Sequence, residues 1–187
     1  MSNEDLTRNF MRQIASFPEL RAAGVVRTAK KGEDIFRMDD KARVFILEHG
    51  LVKLCFTSPD GKEWIRSFVA SPGVFSWGYL QSPEETNTFS AICLEDSTCV
   101  AYPYDLLRRI GAVNPPLVSA GFDVIQYYLL QRERRSRNML SLSAEDSYRD
   151  FLKEHADIAA RLTQADISRY LGITPVALSR IRQRMEV

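Results

Sequence analysis

The chain has 187 residues, with 25 Lys plus Arg against 24 Asp plus Glu, 2 His, 3 Cys and 45% hydrophobic side chains. That length allows one medium domain or two small ones with a real core, and the ordinary apolar share excludes intrinsic disorder. A net charge of +1 is uninformative as a sum, because residues 1–122 carry a net −1 and residues 123–187 a net +2.

The N-terminus, Met1-Ser2-Asn3-Glu4-Asp5, is acidic with no apolar segment behind it, so it does not read as a secretory signal. No apolar run approaches the ~20 residues of a membrane helix. A cytoplasmic protein without membrane contact is the expectation. Leu6, Phe10, Ile14 and Phe17 form one helical stripe, which Pro18 is expected to stop.

From Val25 to Tyr102 the texture changes to short β-branched and aromatic runs punctuated by Gly32, Gly50, Gly61 and Gly73. The clearest hairpin joins Leu51–Thr57 to Glu63–Val69 through Ser58-Pro59-Asp60-Gly61-Lys62. Along its first arm Val52, Leu54 and Phe56 alternate with Lys53, Cys55 and Thr57, which predicts one buried and one wetter face. A second hairpin is expected from Thr88–Leu94 and Thr98–Tyr102, turning at Glu95-Asp96-Ser97. Repeated antiparallel pairs in so short a stretch suggest a barrel or jelly roll.

After Asn114-Pro115-Pro116 the pattern is helical to the end, with Pro116 suited to a first helical turn. Two apolar stripes run together over residues 116–138. Leu117, Gly121, Val124 and Tyr128 lie on one side; Val118, Phe122, Ile125 and Leu129 lie on the other. A helix on a barrel needs one stripe, and the second, at 4-3-4 spacing, is what a helix pairing with its twin shows. One wide stripe buried within a single chain is the alternative. Beyond Leu130, Gln131 to Arg137 read as a solvated or partner-facing end, and Ser143 with Asp146 opens a further helix.

Residues Thr163 to Met185 are the most informative. Counted from Gln164, Ile167 falls at position 4, Ser168 at 5, Leu171 at 8, Gly172 at 9, Ile173 at 10, Leu178 at 15 and Ile181 at 18. A helix-turn-helix needs a small residue where its helices cross, a glycine for the left-handed turn and apolar sites that lock the two helices. Thr174 is placed to cap the second helix and Pro175 to begin it. Two packed helices with a glycine turn also occur in proteins that never meet DNA. Here, with Leu178, Ile181 and Met185 inward, Val176, Ser179, Arg180 and Gln183 face outward, where such a helix enters a major groove. Arg180 can give guanine two parallel hydrogen bonds, while Arg182 and Arg184 are expected at phosphates or simply on a solvated basic face. From Arg161 onward five arginines oppose only Asp166 and Glu186.

Strand-rich domain, long helix and terminal helix-turn-helix, in that order, resemble a Crp/Fnr-type transcription regulator. The segment Leu162 to Arg182 is similar to that family's DNA-reading unit, and Lys31-Gly32-Glu33, Glu48-His49-Gly50-Leu51-Val52 and Asp60-Gly61-Lys62-Glu63 resemble its sensor turns. The implied fold is α+β: an N-terminal helix, a cyclic-nucleotide-binding-like jelly roll (1–115), a dimerisation helix (116–138) and a small all-α helix-turn-helix domain (139–187). The implied function is that of a bacterial homodimer binding double-stranded DNA through Thr163, Gln164, Thr174, Pro175, Val176, Ser179, Arg180, Arg182, Gln183 and Arg184. The resemblance admits RNA polymerase as a further partner and implies no catalytic residues. A candidate effector pocket comprises Phe75, Trp77, Tyr79, Asn87, Thr88 and Arg132.

Departures from the family pattern bear on mechanism. The glutamate that holds the ribose of cyclic AMP falls on Gly78 and the arginine that holds its phosphate on Asn87, with Glu84 and Glu85 nearby. Cyclic AMP is therefore disfavoured as effector, and the effector is left unidentified. Val176 stands where relatives often carry glutamate, so a different operator is expected. With Val187 the last residue after the recognition helix, no β-hairpin wing is expected, and with it fewer phosphate contacts.

Two other readings stay open. A cupin-like metal enzyme would need several His around a metal, and only His49 and His155 are present, so no metal is expected. For His49, beside a turn glycine, a structural hydrogen bond is expected. A redox- or haem-responsive regulator would use Cys55, Cys93 or Cys99, of which Cys93 and Cys99 lie in the arms of the second expected hairpin; ordinary buried thiols are the plainer reading.

Overall fold

A computed structural model describes residues 2–37, 43–58, 61–76 and 89–185. Helix α1 (Asn3–Ala15) is closed at its start by a reciprocal pair of hydrogen bonds between Ser2 and Asp5 and buries Leu6, Phe10 and Ile14, as its stripe predicts. Pro18 ends that helix but also opens α2 (Pro18–Ala23), since proline at a first helical position lacks only an N–H that would have no partner.

Eight strands follow: β1 (Val25–Ala29), β2 (Asp34–Phe36), β3 (Arg43–His49), β4 (Leu51–Thr57), β5 (Glu63–Ala70), β6 (Gly73–Ser76), β7 (Ser90–Cys93) and β8 (Ser97–Pro103). They form two antiparallel four-stranded sheets, ordered β1-β8-β3-β6 and β2-β7-β4-β5. The expected barrel is thus a sandwich of two separate sheets. Ile35, Phe36, Phe45, Leu47, Val52, Leu54, Val69, Phe75 and Phe89 fill the space between them. Phe75 stacks on Phe45 with ring centres 5.1 Å apart.

The β4–β5 hairpin forms as expected. Ser58 N–H donates to Lys62 O, and Gly61, at φ 80°, donates to Ser58 O. The second expected hairpin does not form. β7 pairs with β2 and β4, whereas β8 pairs with β1 and β3, so the chain crosses between sheets at Leu94–Asp96. Alternation sends Cys93 and Cys99 into the same core from opposite sheets, which a local turn could not do. At the β3–β4 crossing Gly50 takes φ 105°, and a Cβ there would lie 2.2 Å from Ser97 Oγ, so both conformation and space demand glycine.

The wetter face expected for β4 is buried. Leu51, Cys55, Ile65 and Phe68 on the outer side of β4–β5 form one core with Tyr148, Phe151, Ile158, Ile167, Tyr170, Leu178 and Ile181 from the C-terminal helices, while Phe56 is 40% exposed. The outer face of the other sheet, through Val44, Ile46 and Val74, carries α1, α3 (Tyr104–Gly111) and α4 (Pro115–Ser141). Helix α4 is longer than the expected 116–138 by one residue at its start and three at its end. Then come α5 (Ala144–Glu154), capped by Ser143, a 3-10 turn (Ala159–Arg161), α6 (Gln164–Leu171) and α7 (Pro175–Arg184). Among the described residues no helix is long and apolar enough to cross a membrane.

Candidate nucleic-acid interface and sensor cavity

Helix α6 starts where Thr163 Oγ1 accepts the Asp166 N–H, and it ends at Gly172 in the left-handed conformation, φ 71° and ψ 24°. The Ile173 N–H returns to Ser168 O at 3.0 Å, closing the turn. No atom lies closer than 3.9 Å to a Cβ added at Gly172, so backbone conformation rather than space selects glycine there. Thr174 Oγ1 accepts the Ala177 N–H and Pro175 begins α7. Leu178 and Ile181 are buried, Ser168 is 1% exposed at the helix crossing, and Met185 is half-buried against the same core.

Most of the expected contact residues are exposed. Thr163, Gln164, Thr174, Pro175, Val176, Arg180, Gln183 and Arg184 are exposed, and Ser179 is half-exposed. Thr163 Oγ1 is already engaged as a cap with Asp166. Arg182 is half-buried with its Nε lacking a hydrogen-bond partner, and Arg184 pairs with Glu145 of α5 at 3.4 Å. Arg161 grips Glu95 through two hydrogen bonds of 2.8 and 2.6 Å, and Arg169 reaches Glu63 at 3.1 Å. Of the five arginines in the basic tail, Arg180 and Arg182 are thus the two without an acidic partner among the described residues. The acidic sandwich takes up part of the charge that the sequence assigns to a DNA surface.

Sequence reading missed the polar lock between the two parts of the chain. Lys53, buried on the outer face of β4, places Nζ 2.7 Å from Glu63 and 3.4 Å from Asp166 on α6. Arg135 of α4, expected at a solvated or partner-facing helix end, instead donates to the carbonyls of Ile65, Arg66 and Tyr170, at 2.9 Å for Ile65 and 2.6 Å for Tyr170, and lies over the Tyr170 ring. A strand lysine flanked by apolar residues was the one available signal for the first contact; nothing in the sequence marked the second.

His155 follows α5 within a cage of Phe68, Phe151 and Tyr170, its Nε2 3.4 Å from the Tyr170 hydroxyl. Burial pushes its pKa down to about 4. The unfolded chain therefore takes up the extra proton first. Stability contributed by neutral His155 is complete above pH 6.5 and is lost as pH falls toward 4, by about 3 kcal/mol at most. Thermal unfolding between pH 7 and 4 should show a shallower decline for His155→Phe than for the parent chain; equal slopes would rule this account out.

His49 is exposed and its ring makes no hydrogen bond among the described residues, contrary to expectation. Among those residues no group of three or more His, Cys, Asp or Glu is arranged to hold a metal ion. Burial pushes the Cys55 and Cys99 thiols up to about 12 and Cys93 upward as well, which opposes the thiolate that redox sensing needs.

A groove of about 820 Å³ runs between β5–β6, α3, α4 and the end of α5. Phe75 and Arg132 of the candidate effector set line it, although Phe75 is 3% exposed and belongs mainly to the sandwich core. Trp77, Tyr79, Asn87 and Thr88, like Gly78, Glu84 and Glu85, lie outside the described residues. Val118, Phe122, Ile125 and Leu129 form the open edge of the groove and are 47–61% exposed.

Residues 26–114, which span the sandwich, match the family model of the cyclic nucleotide-binding domain. Electron transport regulator A of Shewanella oneidensis is 21% identical over 169 residues, covering 84% of this chain and 67% of the relative. FixK2 of Bradyrhizobium japonicum shares the fold at TM-score 0.77 and 19% identity, over 87% of this chain and 84% of that one. A Eubacterium rectale protein described as a Crp/Fnr-family transcriptional regulator shares it at TM-score 0.71 and 14% identity, over 89% and 80% of the two chains. CLP of Xanthomonas campestris, described as a c-di-GMP responsive global regulator, shares the fold at TM-score 0.75 and 14% identity, over 96% of this chain and 91% of that one.

Proposed function

We propose that the chain is a sequence-specific DNA-binding transcription regulator of the Crp/Fnr type, acting as a homodimer and not as an enzyme. The observation that carries the reading is α7. Its inner face is locked by Leu178 and Ile181, while Val176, Arg180 and Gln183 stand free at the surface behind the Thr174 cap. In this reading residues 163–184 form the helix-turn-helix, two copies of α7 enter successive major grooves one helical turn apart, and the exposed stripe of α4 pairs with its twin. RNA polymerase is a further partner in the same scheme. The groove against α4 receives the effector, read as a molecule other than cyclic AMP because Gly78 and Asn87 replace its ribose and phosphate ligands.

Selection of bound sequences from a randomised duplex pool tests the reading and should return a two-fold symmetric site. Arg180→Ala should then lose about 1–3 kcal/mol of discrimination at one base pair of each half-site and keep most non-specific affinity. An unselective wild-type chain would sink the regulator reading, and full discrimination by the variant would sink the role of Arg180.

A further inference from the structure

The β4–β5 ladder breaks register between Leu54 and Cys55: Leu54 pairs with Ser67, Cys55 pairs with Ile65, and Arg66 is left over as the extra residue of a bulge on β5. A bulge re-aims the side chain it carries. Arg66 points its guanidinium over the Phe89 ring, 4.4 Å from the ring centre, and lines the groove together with Arg132 and Arg135 of α4. Arg135 is committed to the carbonyls at the bulge and at the end of α6, which fixes the spacing of β5 and α4. Arg66 and Arg132 have no acidic partner among the described residues. Burial and the repulsion of Arg132 and Arg135 push the Arg66 pKa down to about 10.

The acidic groups that line the groove, Glu154 and Asp157, belong to the α5 end, where Glu154 faces Arg134 and Arg135. Part of the remaining wall is apolar, through Leu54, Val69, Val74, Phe75 and Val124, and Ser67, Arg108, Tyr128 and Gln131 also line the groove. Resting on the reading of this groove as the effector site, we propose that Arg66 and Arg132 bind the carboxylate or phosphate end of a small molecule whose apolar body lies along that wall. Two guanidiniums offer the forked donors such anions accept, and a low-polarity wall strengthens the contact. The anion would sit beside the carbonyl grip of Arg135, and hence beside the joint between β5 and α6.

Competition against the fluorescent anion 8-anilinonaphthalene-1-sulfonate, bound to the full chain without DNA, tests this site. Octanoate or phenyl phosphate should displace the probe at concentrations at least about tenfold below those of uncharged octanol, and the order of the two anions identifies the headgroup. Arg132→Gln, on an exposed position, and Arg66→Gln should each weaken anion competition about tenfold or more and leave octanol unchanged. If Arg66→Gln unfolds the chain, Arg132→Gln decides alone. Failure of both anions to displace the probe, octanol competing as well as they do, or anion competition unchanged in Arg132→Gln would overturn the proposal. A chain that binds these anions yet selects no DNA sequence would instead sink the regulator reading and leave the anion site standing.

Discussion

Lys53→Ala should lower the free energy of unfolding by about 3–5 kcal/mol, because it leaves the buried Asp166 carboxylate and the half-buried Glu63 carboxylate without their shared cation. Lys53 is 8% exposed, with Glu63 at 2.7 Å on its own sheet and Asp166 at 3.4 Å on α6. Arg169 reaches Glu63 from the solvent side at 3.1 Å and can offset only part of the loss, since its own side chain is 47% exposed. The damage should concentrate at the joint between sandwich and C-terminal helices, which share the core of Leu51, Cys55, Ile65 and Phe68 with Ile167 and Tyr170. Hydrogen exchange should therefore rise in α6 and α7 before it rises in β3 and β8. Adding Glu63→Gln and Asp166→Asn to a Lys53→Met background should restore most of the stability, because the charge and its desolvation are then removed together. A loss below about 1 kcal/mol in urea unfolding would show that the three groups are not coupled as the geometry implies.

The second large effect belongs to α4. Phe122→Glu with Ile125→Glu should convert a dimer to a monomer in sedimentation and weaken operator binding by about 100-fold or more, because one half-site replaces two. The side of α4 carrying Leu117, Ala120 and Val124 is at most 5% exposed and already occupied by α1 and the sandwich, so those positions cannot serve a partner. Val118, Phe122, Ile125 and Leu129 are 53%, 61%, 47% and 59% exposed at 4-3-4 spacing. Burying such side chains against their symmetry mates gains about 1.5–3 kcal/mol apiece before association costs, and two glutamates per helix reverse the sign by desolvation and like-charge repulsion. A variant that stayed dimeric with unchanged operator affinity would place the seam elsewhere.

The caps and turns were legible because their causes are local. Ser143 and Thr174, expected as caps, each accept an N–H three residues on, and Gly172 takes the left-handed conformation that its position in the motif requires. The double stripe of α4 was legible for the same reason, since a period along one helix needs no knowledge of what it packs against. The second hairpin was misread because turn residues at Glu95-Asp96-Ser97 suit a reversal within one sheet and a crossing between two equally well. The outer face of β4 was misread because the sequence shows alternation but not that the C-terminal helices cover the wetter side.

The near-zero net charge takes on a different meaning in three dimensions. By itself the sequence determined the order of elements, the helix ends, the outward residues of α7 and the second, exposed stripe of α4, the last three set by spacings of three or four residues. Only the tertiary structure decided that Arg161 and Arg169 are held by Glu95 and Glu63, that Lys53 ties β4 to α6, and that a bulge turns Arg66 toward Arg132. Those contacts join residues up to 113 positions apart, and partners chosen by packing across such distances leave no periodic trace in the chain.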